Sequence, residues 1–225
     1  MKARAEPSST GANPIRVEPM PPGGGTPRTR APRGAAERQV LEAVEDLLGA
    51  GASFTSLGVG QIADHAGVAR SSFYLHFSDK NALLIRVAEA ATNVLLDIAE
   101  DWITDRTADL ETLRPTVRLM VAENRKHAPL LAALAEVAAY DAEVAEFWQA
   151  RIGRYIGLVK ARLQADKRAG LAPKSLDPGV TASFIVWGTE RVVSLGVAGD
   201  PTGAGDRRLA DGVADSIWRL MRSAP

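Results

Sequence analysis

From residue 36 onward, apolar residues recur at three- and four-residue spacings, and no stretch alternates apolar with polar residues between turn signals. That pattern excludes a sheet and leaves one way to bury apolar surface, helix against helix. Breaks fall at Gly49-Ala50-Gly51, Ala66-Gly67-Val68, Ser78-Asp79-Lys80, His127-Ala128-Pro129, Tyr140-Asp141, Gly170-Leu171-Ala172-Pro173 and Gly199-Asp200-Pro201-Thr202-Gly203. They divide an all-α chain into about nine helices, expected near 36–50, 59–66, 69–76, 81–104, 110–126, 129–140, 142–169, 178–199 and 206–222, the first three short. Phe54 and Leu57 fall in a short connection, with Thr55 and Ser56 as capping candidates, and Asp79 or Ser78 can cap the helix that follows.

Residues 1–35 are a different kind of sequence. Seven prolines and the run Gly23-Gly24-Gly25 leave almost nothing to bury, so this segment is expected to be disordered. Its six basic and two acidic residues give a net charge of +4, with Arg28, Arg30 and Arg33 directly before the first helix. Two readings stay open: a solubilising leader, or an arm that follows a DNA backbone or minor groove.

Composition removes several function classes. The chain has no cysteine, which excludes disulfides, thiolate metal sites and cysteine nucleophiles. Its three histidines, His65, His76 and His127, are too widely spaced to suggest a zinc site, and neither a metal nor a cofactor is expected. Net charge is +0, which argues neither for nor against nucleic acid. No signal-peptide pattern and no membrane-length apolar run is present, so a cytoplasmic protein without a membrane partner is expected. The glycine-rich stretch at 196–206 follows a helix and lacks a P-loop lysine, which makes it a connector. No His-Glu-x-x-His, nucleophile elbow or buried carboxylate pair is present, and no enzyme is expected.

The stretch GQIADHAGVARSSFYLHFSDKNAL, residues 60–83, carries the strongest signal. Two short helices joined by a glycine-bearing turn have the sequence form of a helix-turn-helix. Ile62 and Ala63 face inward, Gly67 supplies the left-handed backbone of the turn, Val68 fills the corner, and Phe73 and Phe77 anchor the second helix. Arg70, Ser71, Ser72 and Tyr74 are left outside, residue types suited to base edges and phosphates. The motif resembles the DNA-binding signature of the TetR family of transcriptional regulators. It matches at Ile62-Ala63, Ala66-Gly67-Val68, Ser71-Ser72, Tyr74-Leu75-His76-Phe77, Lys80 and Leu83. The resemblance implies a three-helix DNA-binding domain over residues 36–82 and a larger effector-binding and dimerisation domain over 83–225. It also implies that Tyr74, His76 and Lys80 bond phosphates, that Arg70, Ser71 and Ser72 read bases, and that Thr55 or Gln61 meets the DNA backbone. His76 has a second reading, as a packed histidine steadying its own turn. Residues 36–80 carry three basic and six acidic side chains, a net charge of −3, so phosphate attraction must come from local placement and from the arm.

In the C-terminal part, the segment 178–199 is apolar on all sides except at Thr189-Glu190-Arg191. Such a helix must be buried on every side, one side by its own domain and the other by a partner, with a two-fold dimer as the default. Ala182, Gly188, Ser194 and Gly196 permit close helix approach, and the segment 206–222 with Val213, Ile217, Trp218 and Leu220 completes the expected homodimer interface. The segment 142–169 carries an aromatic-aliphatic stripe that can be plain core or the wall of a cavity. This half is also similar, more loosely, to the mycobacterial ethionamide-resistance repressor branch of the TetR family. By that resemblance Trp148, Ile152, Tyr155, Thr189, Glu190, Val193 and Trp218 line an elongated, mostly apolar pocket, with Thr189 standing where that branch typically has asparagine. A structural Glu190–Arg191 pair is the alternative to a ligand role. The combined expectation is a homodimeric repressor that binds a palindromic double-stranded operator and is released by a small lipophilic effector. The alternative is a DNA-binding structural or regulatory protein with no effector, a choice that turns on whether the Trp148, Tyr155, Trp187 and Trp218 region is filled or hollow.

Overall fold

The computed structural model describes residues 34–222. Arg33 and almost all of the basic arm lie outside the described residues. Among these residues nine α-helices run in order: α1 (Ala35–Gly49), α2 (Val59–His65), α3 (Arg70–Tyr74), α4 (Lys80–Thr104), α5 (Leu110–Lys126), α6 (Ala128–Val137), α7 (Ala142–Arg168), α8 (Pro178–Gly199) and α9 (Asp206–Met221). A single 3₁₀ turn, Phe54–Ser56, precedes α2, and no strand occurs among the described residues. The expected helices are all present, but α1 has 15 residues and is not short, whereas α2 and α3 have 7 and 5.

Local chemistry sets these boundaries. Asp79, Asp109, Asp141 and Asp177 begin α4, α5, α7 and α8, each accepting from backbone N–H groups of the first turn. Asp79, rather than Ser78, is the cap of α4, with Oδ1 2.8 Å from both Asn81 N and Ala82 N. Gly67, at φ +66°, ends α2 in a Schellman motif: the N–H of Val68 donates to Ala63 O at 3.0 Å and the N–H of Gly67 to Asp64 O at 3.1 Å.

The helices enclose two apolar clusters. The N-terminal one takes Val40, Val44 and Leu48 of α1, Phe54, Ile62, Phe73 and Phe77, then Leu83, Leu84 and Val87 of α4 and Leu130, Leu134 and Val137 of α6. The C-terminal one takes the end of α4 at Trp102, together with α5, α7, α8 and α9. α4 therefore belongs to both, and Trp148 on α7 packs against both.

Between the ends of α4, α7 and α9 lies a buried ionic pillar. Arg162 and Asp166, one turn apart on α7 with side chains 2% and 1% exposed, pair at 3.1 Å. Arg162 also donates to the carbonyls of Trp102, Ile103, Asp105 and Ala108, capping the C-terminus of α4. Arg222, just past α9, and Arg106 complete the surroundings of Asp166 at 3.0 and 3.3 Å. α8 and α9 touch at Gly196, where an added Cβ would lie 2.6 Å from Leu209 Cδ2.

Candidate functional site

At the N-terminal end, the buried rings of Phe73 and Phe77 pack 5.4 Å apart and hold α3 down. The opposite face of α3 is open. Arg70, Ser71, Tyr74, Leu75 and His76 are exposed, and Ser72 is half-buried. Arg70 reaches Tyr74 one turn on, its Nη2 3.5 Å from the hydroxyl, and this bond raises the guanidinium pKa. His76 is exposed and makes no side-chain hydrogen bond among the described residues, its ring 6.3 Å from that of Phe77. Thr55 is exposed, with Oγ1 2.7 Å from Ser53 Oγ, and Gln61 turns its carbonyl oxygen to the N–H of Gly58 at 2.8 Å, leaving its NH₂ group outward. Five of the expected contact residues, Arg70, Ser71, Ser72, Tyr74 and His76, thus lie on or beside one open surface at α3, with Thr55 in the 3₁₀ turn and Gln61 in the first turn of α2.

Lys80 differs from its expected role. Its Nζ sits 2.9 Å from Thr55 O, 3.3 Å from Phe54 O and 3.4 Å from Leu57 O, and 5.3 Å from the centre of the Phe54 ring. An ammonium has three donors, and all three are directed to backbone carbonyls, so Lys80 clamps the 3₁₀ turn to α4 instead of offering a free charge to a phosphate.

The C-terminal cluster is hollow. The cavity within it measures about 160 Å³, opens to solvent and is lined mostly by apolar side chains. α4 contributes Thr92, Leu95, Ala99, Trp102 and Ile103; α5 contributes Leu113, Thr116, Val117, Met120 and Asn124. α7 supplies Trp148, Arg151, Ile152, Tyr155, Val159 and Arg162, and α8 supplies Ile185, Val186, Thr189, Glu190, Val193 and Ser194. Leu131, Ile217 and Met221 close the remainder. Trp148, Ile152, Tyr155, Thr189, Glu190 and Val193 all line this one space.

Trp218 is not part of this wall. α9 presents Ile217 and Met221 to the space, while the Trp218 ring sits 6.5 Å from Trp102 and under the Arg222 guanidinium at 4.6 Å. Trp187 lies on the outer side of α8, 44% exposed, so the four rings expected to share one region are divided between wall, pillar and surface. Trp102, by contrast, is a wall residue that sequence reading did not single out. The signal was present: Thr92, Leu95, Ala99 and Trp102 follow helical spacing on α4.

The polar groups of the wall are unequal. Burial pushes the Tyr155 phenol above its usual pKa range. Burial likewise raises the Glu190 carboxyl, with Arg191 opposing in part, yet no ion pair joins Glu190 to Arg191 among the described residues. The structural pair considered for these two residues is absent. No group of three or more His, Asp or Glu side chains among the described residues could hold a metal ion.

The outer face of α8 is apolar and open. Val180, Phe184, Trp187, Val192 and Leu195 are 44–70% exposed, and Leu220 of α9 continues the patch. A shallow groove between α8 and α9 runs through Phe184, Gly188, Val192, Leu209 and Gly212.

Residues 49–87 match the family of bacterial regulatory proteins, tetR family, and residues 113–220 match the C-terminal domain of the transcriptional regulator EthR. The chain is 26% identical to the HTH-type transcriptional regulator EthR of Mycobacterium tuberculosis over 195 residues, covering 85% of this chain and 89% of that protein. Among solved structures, the fatty acid degradation regulator FadR from Bacillus halodurans superposes with a TM-score of 0.69 at 21% identity, covering 82% of this chain and 95% of that one. FadR from Bacillus subtilis, solved in complex with stearoyl-CoA, gives a TM-score of 0.59 at 20% identity over 82% and 98% of the two chains. The chain belongs to the TetR family of bacterial regulatory proteins, with a C-terminal domain of the EthR type.

Proposed function

We propose that this protein is a ligand-responsive transcriptional repressor that binds a palindromic operator as a dimer and is released when a small lipophilic molecule fills the C-terminal cavity. The observation that carries the reading is a single chain holding an open helix-turn-helix face and a hollow apolar core, joined by one helix that packs in both. A DNA-binding protein without an effector would have no use for such a space, and unfilled apolar core costs stability. A catalytic role has no support in the wall residues.

In this reading Arg70, Ser71, Ser72 and Tyr74 meet bases and phosphates, with His76, Thr55 and Gln61 at the flanks. The basic arm, Arg33 included, adds phosphate attraction that the acidic α1 does not offer. The open face of α8 and α9 pairs with a second copy about a two-fold axis, setting two α3 helices about 34–36 Å apart. Phe184→Asp on that face should yield monomers that bind operator weakly.

Signal transfer would run through α4. Arg151, at the cavity wall, donates to Asn93 Oδ1 at 2.6 Å and lies 3.7 Å from Glu89, both on α4. Glu89 pairs with Arg86 at 3.0 Å, and Arg86 with Glu37 of α1 at 3.3 Å. A ligand that shifts α7 against α4 thereby biases the seat of the DNA-binding helices. The test is to recover the bound promoter from genomic DNA with the purified protein and titrate the complex with lipophilic compounds. Saturable release accompanied by a change in tryptophan fluorescence is expected; stable complexes across a broad panel would remove the effector from the proposal.

A further inference from the structure

The cavity wall holds three charged side chains, and only one lacks a partner. Arg162 is neutralised by Asp166 at 3.1 Å and saturated by backbone carbonyls. Arg151 is held by Asn93 and Glu89. Glu190, half-buried on α8, makes no hydrogen bond and no ion pair among the described residues, although its neighbours in the wall are mostly aliphatic and aromatic. Arg191, next in sequence, is exposed and makes no ion pair with it. We infer that the molecule this cavity is built to hold is a lipophilic base, an apolar body bearing one amine whose ammonium pairs with the Glu190 carboxylate. This rests on the reading of the cavity as an effector site and adds the chemical class of the effector.

The chemistry is one-sided. An anionic head would have to displace Glu89 from Arg151, or Asp166 from Arg162, and would still face the Glu190 carboxylate. A neutral ligand would bury Glu190 without satisfying it, which costs the desolvation of a carboxyl and returns nothing. An ammonium offers the missing charge, and its remaining donors can reach hydroxyls close by: Thr189 adjoins Glu190, and Ser194 stands one turn further along α8. Neither hydroxyl is used in a hydrogen bond among the described residues. Burial raises the pKa of the Glu190 carboxyl, and a paired cation would draw it back down.

Three probes of equal chain length separate the possibilities: dodecylamine, dodecanol and dodecanoate, each below its micellar concentration. Binding is followed by tryptophan fluorescence on the full-length protein and on Glu190→Gln, a near-isosteric variant whose melting curve checks the fold. The amine should bind wild type at least about tenfold more tightly than the alcohol, and the acid most weakly. In the variant the amine should fall to the level of the alcohol. Equal binding of the three to wild type would overturn the role of Glu190 while leaving the effector site in place. An amine preference that survives in Glu190→Gln would overturn it as well. No binding of any probe would remove both the inference and the effector reading beneath it.

Discussion

The two apolar cores of this molecule are built from the same helical periodicity and are filled differently. Around α1, α2 and α3 the large side chains close on one another: Val40, Val44, Ile62, Phe73, Leu83 and Leu84 are all fully buried, and the exposed face of α3 is polar apart from Leu75. Around α5, α7 and α8 the side chains line a space, and the far side of α8 shows Phe184, Trp187 and Leu195 to solvent. The filled core needs only to hold a short recognition helix at a fixed angle. In the proposed function the hollow one admits a guest and presents a second face to a partner copy, and both tasks leave apolar surface unsatisfied in the isolated chain.

The buried Arg162–Asp166 pillar stands at the edge of that space, with the Arg162 guanidinium 5.2 Å from the centre of the Trp102 ring. Removing one member of a buried pair strands the other, so Arg162→Ala should lower unfolding free energy by about 3–5 kcal/mol in urea titrations. A small change would mean that the space is braced by something else. The next test uses two alanines on one helix. Ala88 lies in the filled core and Ala99 in the cavity wall. Ala88→Leu should cost about 1–3 kcal/mol by overpacking. Ala99→Leu should be close to neutral in the same denaturation experiment and should weaken ligand binding by narrowing the space. Equal costs at the two sites would erase the distinction between the cores.

At the DNA-facing end a smaller effect sharpens the contrast between two cations. Arg70→Ala should weaken operator binding about tenfold with an unchanged melting temperature. Lys80→Met should do the reverse, lowering Tm by about 2–4 °C through loss of its carbonyl clamp, with a lesser effect on the salt dependence of binding. The smallest effect belongs to the cap of α8. The N–H groups of Val180 and Gly179 hold the Asp177 carboxyl below its ordinary pKa. A depressed folded-state pKa contributes stability above the unfolded value and loses it as pH falls through the folded one. Asp177→Ala should therefore destabilise at neutral pH, with the gap to wild type closing below about pH 4, measured by melting at several pH values.

The sequence located the helix-turn-helix because its signals are short-range. Gly67, the Phe73–Phe77 spacing and the polar start of α3 all act within about one or two helical turns, and the structure places them as their residue types demand. The cavity was legible in part. Trp148, Ile152 and Tyr155 form a stripe on α7, and Thr189, Glu190 and Val193 interrupt or flank the apolar surface of α8. Trp102 and Arg151 were not singled out, since nothing in their local sequence says what stands opposite them across the bundle. The phosphate role of Lys80 was expected from the resemblance of the motif to the TetR family. Only the fold brings the carbonyls of Phe54, Thr55 and Leu57 to its ammonium.

By itself, then, the sequence determined where helices begin and end, that they are helices, and which short pair is aimed outward. Those outcomes follow from aspartate caps, glycine turns and the 3.6-residue period, all written within a few residues of where they act. The tertiary structure alone decided which tryptophan is wall, which is pillar and which is surface. Periodicity gives a helix its apolar stripe, but whether that stripe meets a neighbouring side chain, an empty space or solvent depends on helices far away in the chain.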